Sequence, residues 1–188
     1  KCDFNNRNKI KTPDGSLLLT VPVNAHGRFD EKIKNTKIAN NLWKRQHFKA
    51  IYYNYKKSPF FNIYIEDLED IYMGKEYKYL SDLNSTMLIY FLEKLDINTK
   101  IITASDYDFT GKKSDLVLDM CLKLKANKII FGANGKDYVD VKSFKSNNIE
   151  MIFQDYVHPK YNQWFQKDGF LPYMSIIDLL FNEGENSG

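Results

Sequence analysis

Asn6-Arg7-Asn8, with Lys9 and Lys11 just behind, is the densest polar cluster on a strand-like segment of this sequence. Arginine presents a planar fork of donors that matches a carboxylate or phosphate, and asparagine supplies a donor and an acceptor together. Such a cluster can grip an anion. It can also be a solvated edge strand whose charges block pairing with another chain, which is the commoner use of these residues. Two histidines are candidates for proton transfer, since an imidazole with an ordinary pKa near 6.5 suits a general base. His158 sits in Gln154-Asp155-Tyr156-Val157-His158-Pro159, just past a predicted strand end, where loops carry function. His47 lies on the apolar face of a predicted helix, where a satisfied core histidine is the usual explanation and a cleft-facing base the other. His26, ahead of Gly27, reads as an ordinary loop residue.

Other patterns carry less chemistry. Three scattered His and two distant Cys give no metal-ligand spacing, so no metal is expected. Gly111-Lys112-Lys113-Ser114 lacks the upstream Gly and the residue order of a phosphate loop. Gly132-Ala133-Asn134-Gly135 would let backbone approach a ligand closely, but it is not a dinucleotide fingerprint, and no cofactor is expected. Ser175 and Asp178 have capping-box spacing, which makes helix capping their leading explanation.

These residues need a frame to hold them. Asn6 to Lys11, the turn Thr12-Pro13-Asp14-Gly15, and Leu17 to Val23 read as a hairpin. Asn24 to Asn40 is polar and reads as a surface loop. Trp43, His47, Ile51 and Tyr55 recur every four residues and predict a helix over 41–56, stopped by Ser58-Pro59. A weaker helix follows over 63–73. Ser81 is expected to cap a third, with Leu83, Met87, Tyr90, Phe91 and Leu95 inward. Strands are predicted at 100–105, 128–132 and 149–153, with helices at 114–125 (capped by Ser114) and 140–147 between them. A last helix is predicted over 175–181, with Gly184 as its stop. Alternating strand and helix imply an α/β fold: a mainly parallel sheet flanked by helices, with an amino-terminal hairpin, in a single domain over 1–188. Ligands of such sheets sit beyond the carboxyl ends of the strands. His158 and Gln154 are therefore expected to meet Asn6 in one pocket.

The bulk properties narrow the class of ligand. Net charge is +3 among 188 residues, too mild for a nucleic-acid binder's footprint but suited to a small anion. Thirteen Tyr and thirteen Phe point to a core and a cleft built from rings, with tyrosine hydroxyls left for a ligand. Two Cys make no disulfide framework, Cys121 reads as a buried thiol, and no apolar run is long enough to span a bilayer. The expected setting is the cytoplasm.

The ordered segments together resemble the WbqC-like protein family. They are Asn6-Arg7-Asn8 with Ile10 to Pro13, Leu19 to Val23, Trp43-Lys44 with His47, Tyr55 with Ser58 to Phe60, and Ser81 to Asn84. Further on come Gly132 with Gly135 to Tyr138, Phe153 to Tyr156 with His158-Pro159, Phe170 to Pro172, and Ser175 to Asn182. Family members usually begin with a further segment, including a Gln-Pro and an acidic strand, which this sequence lacks. The resemblance implies surface-polysaccharide (O-antigen) biosynthesis. The implied reaction is transfer of glycine or another small acyl group, from an activated donor, to the amine of a nucleotide-linked amino sugar. It implies that His158 or His47 acts as base. Asn6, Asn8 and Gln154 would hold an oxyanion or sugar hydroxyls. Arg7, Lys9 and Lys11 would meet phosphates, and Tyr138 and Tyr156 would stack on a sugar or base. A homodimer is the assembly considered. A sugar-nucleotide binder or partner subunit without catalysis is the alternative.

Overall fold

Residues Arg7–Thr12 (β1) and Gly15–Thr20 (β2) pair antiparallel with Thr12 opposite Gly15, so Pro13 and Asp14 form the tip of the predicted hairpin. Gly15 has φ +104°, a conformation that L side chains rarely adopt, and Thr12 Oγ1 donates to its carbonyl at 3.0 Å. The computed structural model describes residues 4–24, 32–165, 167 and 169–188; His26 and Cys2 fall outside them. The chain forms two compact units, one of residues 1–99 with 159–188 and the other of residues 100–158.

In the first unit, β1 is no solvated edge. Its Lys9 carbonyl accepts from the Ser175 N–H at 2.7 Å, and its Lys11 N–H donates to the Tyr55 hydroxyl at 2.8 Å. Helix α1 spans Leu42–Tyr55, and Trp43, His47, Ile51 and Tyr55 are all buried, as their spacing predicts. Each of the apolar members stabilises the fold by about 1.5–3 kcal/mol through burial. Helix α2 (Phe61–Glu69) runs into a π-type turn at Asp70–Gly74, which carries the buried Tyr72. Helix α3 (Leu80–Lys94) buries Leu80, Leu83 and Tyr90, with Met87, Phe91 and Leu95 packed alongside. Ser81 does not cap it: Tyr79 holds the cap position, and the Ser81 hydroxyl turns to Asp82. Within the expected loop, Ile38 bridges back to Val23 and Lys37 to Tyr79, so the described part of that segment is tied to the fold. Helix α6 (Ile176–Glu183) starts at Ser175, whose Oγ accepts from the Ile177 N–H, and ends at Gly184 with φ +57°.

The second unit is smaller. Helix α4 (Ser114–Lys123), strand β3 (Lys128–Phe131), helix α5 (Val141–Ser146) and strand β4 (Glu150–Phe153) follow in the predicted order, and β3 pairs with β4 in parallel. Cys121, Phe131, Phe144 and Ile149 form its core, with Val117 and Leu118 against them. Ser114 caps no helix; its hydroxyl accepts from the Asp140 N–H at 2.9 Å and ties the two helices' starts together. Asp140 is the true cap, of α5.

The predicted strand at 100–105 is not there. Residues 97–103 are irregular, a 3-10 turn covers Ala104–Asp106, and Ile101 is exposed. Ile-Ile-Thr has the composition of a strand, but strand preference is a preference for a packed, paired surface, and no described strand pairs with it. The mainly parallel sheet is therefore not found among the described residues. They hold two small sheets, one antiparallel (β1–β2) and one parallel (β3–β4), with helices around them. No helix among them is long and apolar enough to cross a membrane.

Candidate functional site

A cavity of about 380 Å³ in the first unit gathers four of the sequence-predicted site residues: Asn6, Arg7, Asn8 and His47. The start of β1 forms one wall. Trp43, His47 and Tyr72 contribute a ring-lined wall, α3 adds Leu83, Met87 and Phe91, and the start of α6 contributes Ser175. Volume and lining are those of a small-molecule site: mostly apolar, with a few polar groups converging.

Burial sets the chemistry of each polar group. His47 is 7% exposed, and its ring packs edge-on against Trp43 at 5.2 Å and Tyr72 at 6.2 Å between centroids. Its Nε2 lies 3.2 Å from the Thr20 carbonyl. A carbonyl can only accept, so Nε2 carries the proton and Nδ1 is left as an acceptor with no partner among the described residues. Loss of solvation holds the His47 pKa down at about 4, against the smaller upward pull of that carbonyl. His47 is thus a neutral imidazole at physiological pH. It is a hydrogen-bond acceptor and only a weak base. Asn6 donates to the Val21 carbonyl at 2.9 Å, and its Oδ1 faces Arg7 Nε at 3.5 Å. That contact leaves the terminal guanidinium nitrogens of Arg7 without a carboxylate among the described residues, half-buried at the cavity wall. Asn8 Oδ1 accepts from the Lys9 N–H. The indole N–H of Trp43 is buried with no hydrogen-bond acceptor among the described residues.

Lys11 has a different place from the one expected. It is 1% exposed, and its ammonium donates to Gln163 Oε1 at 3.0 Å and to the Gly169 carbonyl at 2.6 Å. Gln163 in turn donates to Asp178 Oδ2 at 2.7 Å, which also accepts from the Tyr161 hydroxyl at 2.6 Å. Asp178 Oδ1 accepts from the Tyr55 hydroxyl at 2.7 Å. Burial and the Asp178 carboxylate push both phenols well above the ordinary tyrosine range. Sequence reasoning missed this network. The capping-box spacing points elsewhere: the Asp178 N–H does donate to the Ser175 carbonyl at 2.9 Å, but its carboxylate turns to Tyr55, Tyr161 and Gln163. The available signal was one carboxylate inside the apolar run Ile176-Ile177-Asp178-Leu179-Leu180-Phe181.

The remaining candidates belong to the second unit. Because β3 and β4 are parallel, Gly132 to Tyr138 and Gln154 to His158 follow strand ends on one edge of that sheet. Tyr138 is exposed and edge-on to Phe131, Tyr156 is exposed, and half-buried His158 lies edge-on to Tyr156 at 6.0 Å. The Gln154 N–H extends the ladder to Phe131. Gly135 packs so closely on the Phe131 side chain that a Cβ would sit 2.5 Å from it, which gives that glycine a packing role. The expected meeting of His158 and Gln154 with Asn6 joins residues of different units; within its own unit, Asn6 shares its cavity with His47.

Comparison with known proteins follows the same span. The sequence model of the WbqC-like protein family matches residues 1–188. Uncharacterized protein Rv1507c of Mycobacterium tuberculosis (strain ATCC 25618 / H37Rv) is 34% identical over 185 residues, covering 98% of this chain and 79% of the relative. No solved structure matches the chain.

Proposed function

The chain belongs to the WbqC-like protein family, and from that premise we propose that it transfers a glycyl or other small acyl group to the amine of a nucleotide-linked amino sugar. The cavity around Arg7 and His47 would be the acceptor site. The observation that carries this reading is the pairing, in one ring-lined cavity, of a guanidinium and an imidazole nitrogen that has no partner among the described residues. About 380 Å³ is near the low end for ligand sites, which suits a sugar and its phosphate better than a whole sugar nucleotide. Arg7 would hold a phosphate oxygen by its fork, and Asn8 would meet sugar hydroxyls. His47 Nδ1 would accept the amine N–H and turn the nitrogen lone pair toward the acyl carbon. As the C–N bond forms, the bond from that carbon to the leaving group of an ester or thioester donor breaks, and the amine proton passes to the leaving group. The setting would be surface-polysaccharide assembly.

A second reading is binding without catalysis. The depressed pKa of His47 favours it, because a base near 4 removes protons poorly at neutral pH. Mass spectrometry of nucleotide-linked amino sugars incubated with the protein and an activated glycine donor separates the two. A mass gain of one glycyl group on the sugar, lost in Arg7→Ala, supports transfer. Saturable binding with no mass change supports the binder.

A further inference from the structure

The first unit holds a second cavity, of about 570 Å³, at the carboxyl end of α1. Tyr53, Trp164 and Phe165 supply rings, Lys56 and Lys57 supply cations, and Asn54 and Gln163 supply amides. Among the described residues its lining contains no carboxylate, and neither lysine has one as a partner. The two lysines belong to a basic stretch of the sequence. Residues 32–65 carry eight Lys and Arg and no Asp or Glu, so the remainder of the chain is net −5. Lys44 is the buried exception, neutralised by Glu76 at 3.0 Å. Arg45, Lys49, Lys56 and Lys57 are exposed on α1 or just past it.

Rings and uncompensated ammonium groups around one cleft are the two halves of a recognition mode for an aromatic base bearing phosphate. Lys56 Nζ already sits 5.3 Å from the Tyr53 ring, so cation and stacking surface are adjacent. Tyr53 is 63% exposed and Trp164 36%, so both rings keep surface accessible to a ligand beside the face that Lys56 covers. Asn54 Nδ2 is committed to the Ala50 carbonyl at 2.8 Å, which leaves Oδ1 to accept from a base N–H. Gln163 is held at the back by Asp178 and Leu171 and gives the cleft a fixed wall.

We propose that this cleft is a second ligand site, for a nucleoside phosphate, with the base against Tyr53 and Trp164 and the phosphates on Lys56 and Lys57. It does not rest on the acyl-transfer reading, and no residue lines both cavities.

The test is titration of the full chain with ADP, UDP and pyrophosphate, followed by calorimetry and by tryptophan fluorescence. The protein has two tryptophans, and Trp164 lines this cleft while Trp43 lines the other. The proposal expects a nucleoside diphosphate to bind and quench Trp164, with the quench absent in Trp164→Phe and retained in Trp43→Phe. Replacing both Lys56 and Lys57 by Ala should weaken binding by about tenfold or more, as lost charged hydrogen bonds do. Tyr53→Ala should weaken it by roughly fivefold or more, as lost stacking does. Arg7→Ala should leave it unchanged. Equal affinity for pyrophosphate and nucleotide would overturn the base-stacking half. Loss of binding in Arg7→Ala would move the ligand to the other cavity, and no binding at millimolar nucleotide would overturn the proposal. Should Trp43→Phe destabilise the fold, the lysine and Arg7 variants still decide the outcome.

Discussion

Tyr55→Phe should be among the most damaging conservative substitutions in the protein. The hydroxyl does two things at once: it donates to Asp178 Oδ1 at 2.7 Å and accepts the Lys11 N–H at 2.8 Å. Tyr55 and Asp178 are fully buried and Lys11 is 1% exposed, so water cannot replace the lost oxygen. Removing it breaks a buried bond to a backbone donor and one to a carboxylate oxygen, at about 1–3 kcal/mol each. The sum, about 2–6 kcal/mol, corresponds to a fall of roughly 4–24 °C in Tm for a chain of this size. Both tryptophans lie in the same unit as Tyr55, so fluorescence-monitored urea unfolding reports on that unit. Tyr90→Phe is the internal control. Its hydroxyl makes a long bond of 3.4 Å to the Tyr64 carbonyl and faces the exposed Asp67 carboxylate, which water can solvate in its place, so its loss should cost about 1 kcal/mol or less. Equal midpoints for Tyr55→Phe and the parent would mean that the network contributes nothing net, and the reasoning from unsatisfied groups would fail.

Arg7→Ala should weaken affinity for a nucleotide-linked amino sugar by about 10–150-fold, the worth of a charged hydrogen bond, measured by calorimetry. The folded pKa of His47 is depressed from its ordinary 6.5 to about 4. Its contribution is therefore fully present above pH 6.5 and lost as pH falls through 4, on the order of 3 kcal/mol in all. His47→Leu should flatten the acid limb of a stability–pH curve, and an unchanged limb would reject the burial argument. At the alkaline end, Tyr55, Tyr72, Tyr90 and Tyr161 have raised pKa values in the folded state. Their contribution holds below about pH 10 and is lost as pH rises beyond it, so ultraviolet titration should show these phenols ionising together with unfolding.

Helix positions were legible because burial at a period of four writes itself into the sequence: Trp43, His47, Ile51 and Tyr55 mark α1 directly. The hairpin was legible from Pro13 to Gly15, where turn chemistry is local. The false strand at 100–105 shows the limit of the method, since Ile101 and Ile102 have strand composition but no partner strand among the described residues. Caps failed at Ser81 and Ser114 because a serine near a helix start has several possible acceptors and donors, and tertiary contacts chose others. The site was half legible. Asn6 to Asn8 stood out by type, whereas their company with His47, Trp43 and Tyr72 depends on how β1 lies against α1, which no local pattern encodes. Lys11 reads as a phosphate-binding cation in the sequence because partners such as Gln163 and Gly169 are more than 150 residues away.

The most direct test of the acyl-transfer account is mass spectrometry of nucleotide-linked amino sugars incubated with an activated glycine donor and either the parent protein or Arg7→Ala and His47→Ala. The account predicts a product heavier by one glycyl group with the parent protein. It predicts weakened sugar-nucleotide binding in Arg7→Ala, and product formation slowed by roughly 10²-fold at saturation in His47→Ala, the worth of holding a reacting group in place. Product formed at the parental rate by both variants would contradict it, and so would parent protein that binds the sugar nucleotide and never changes its mass.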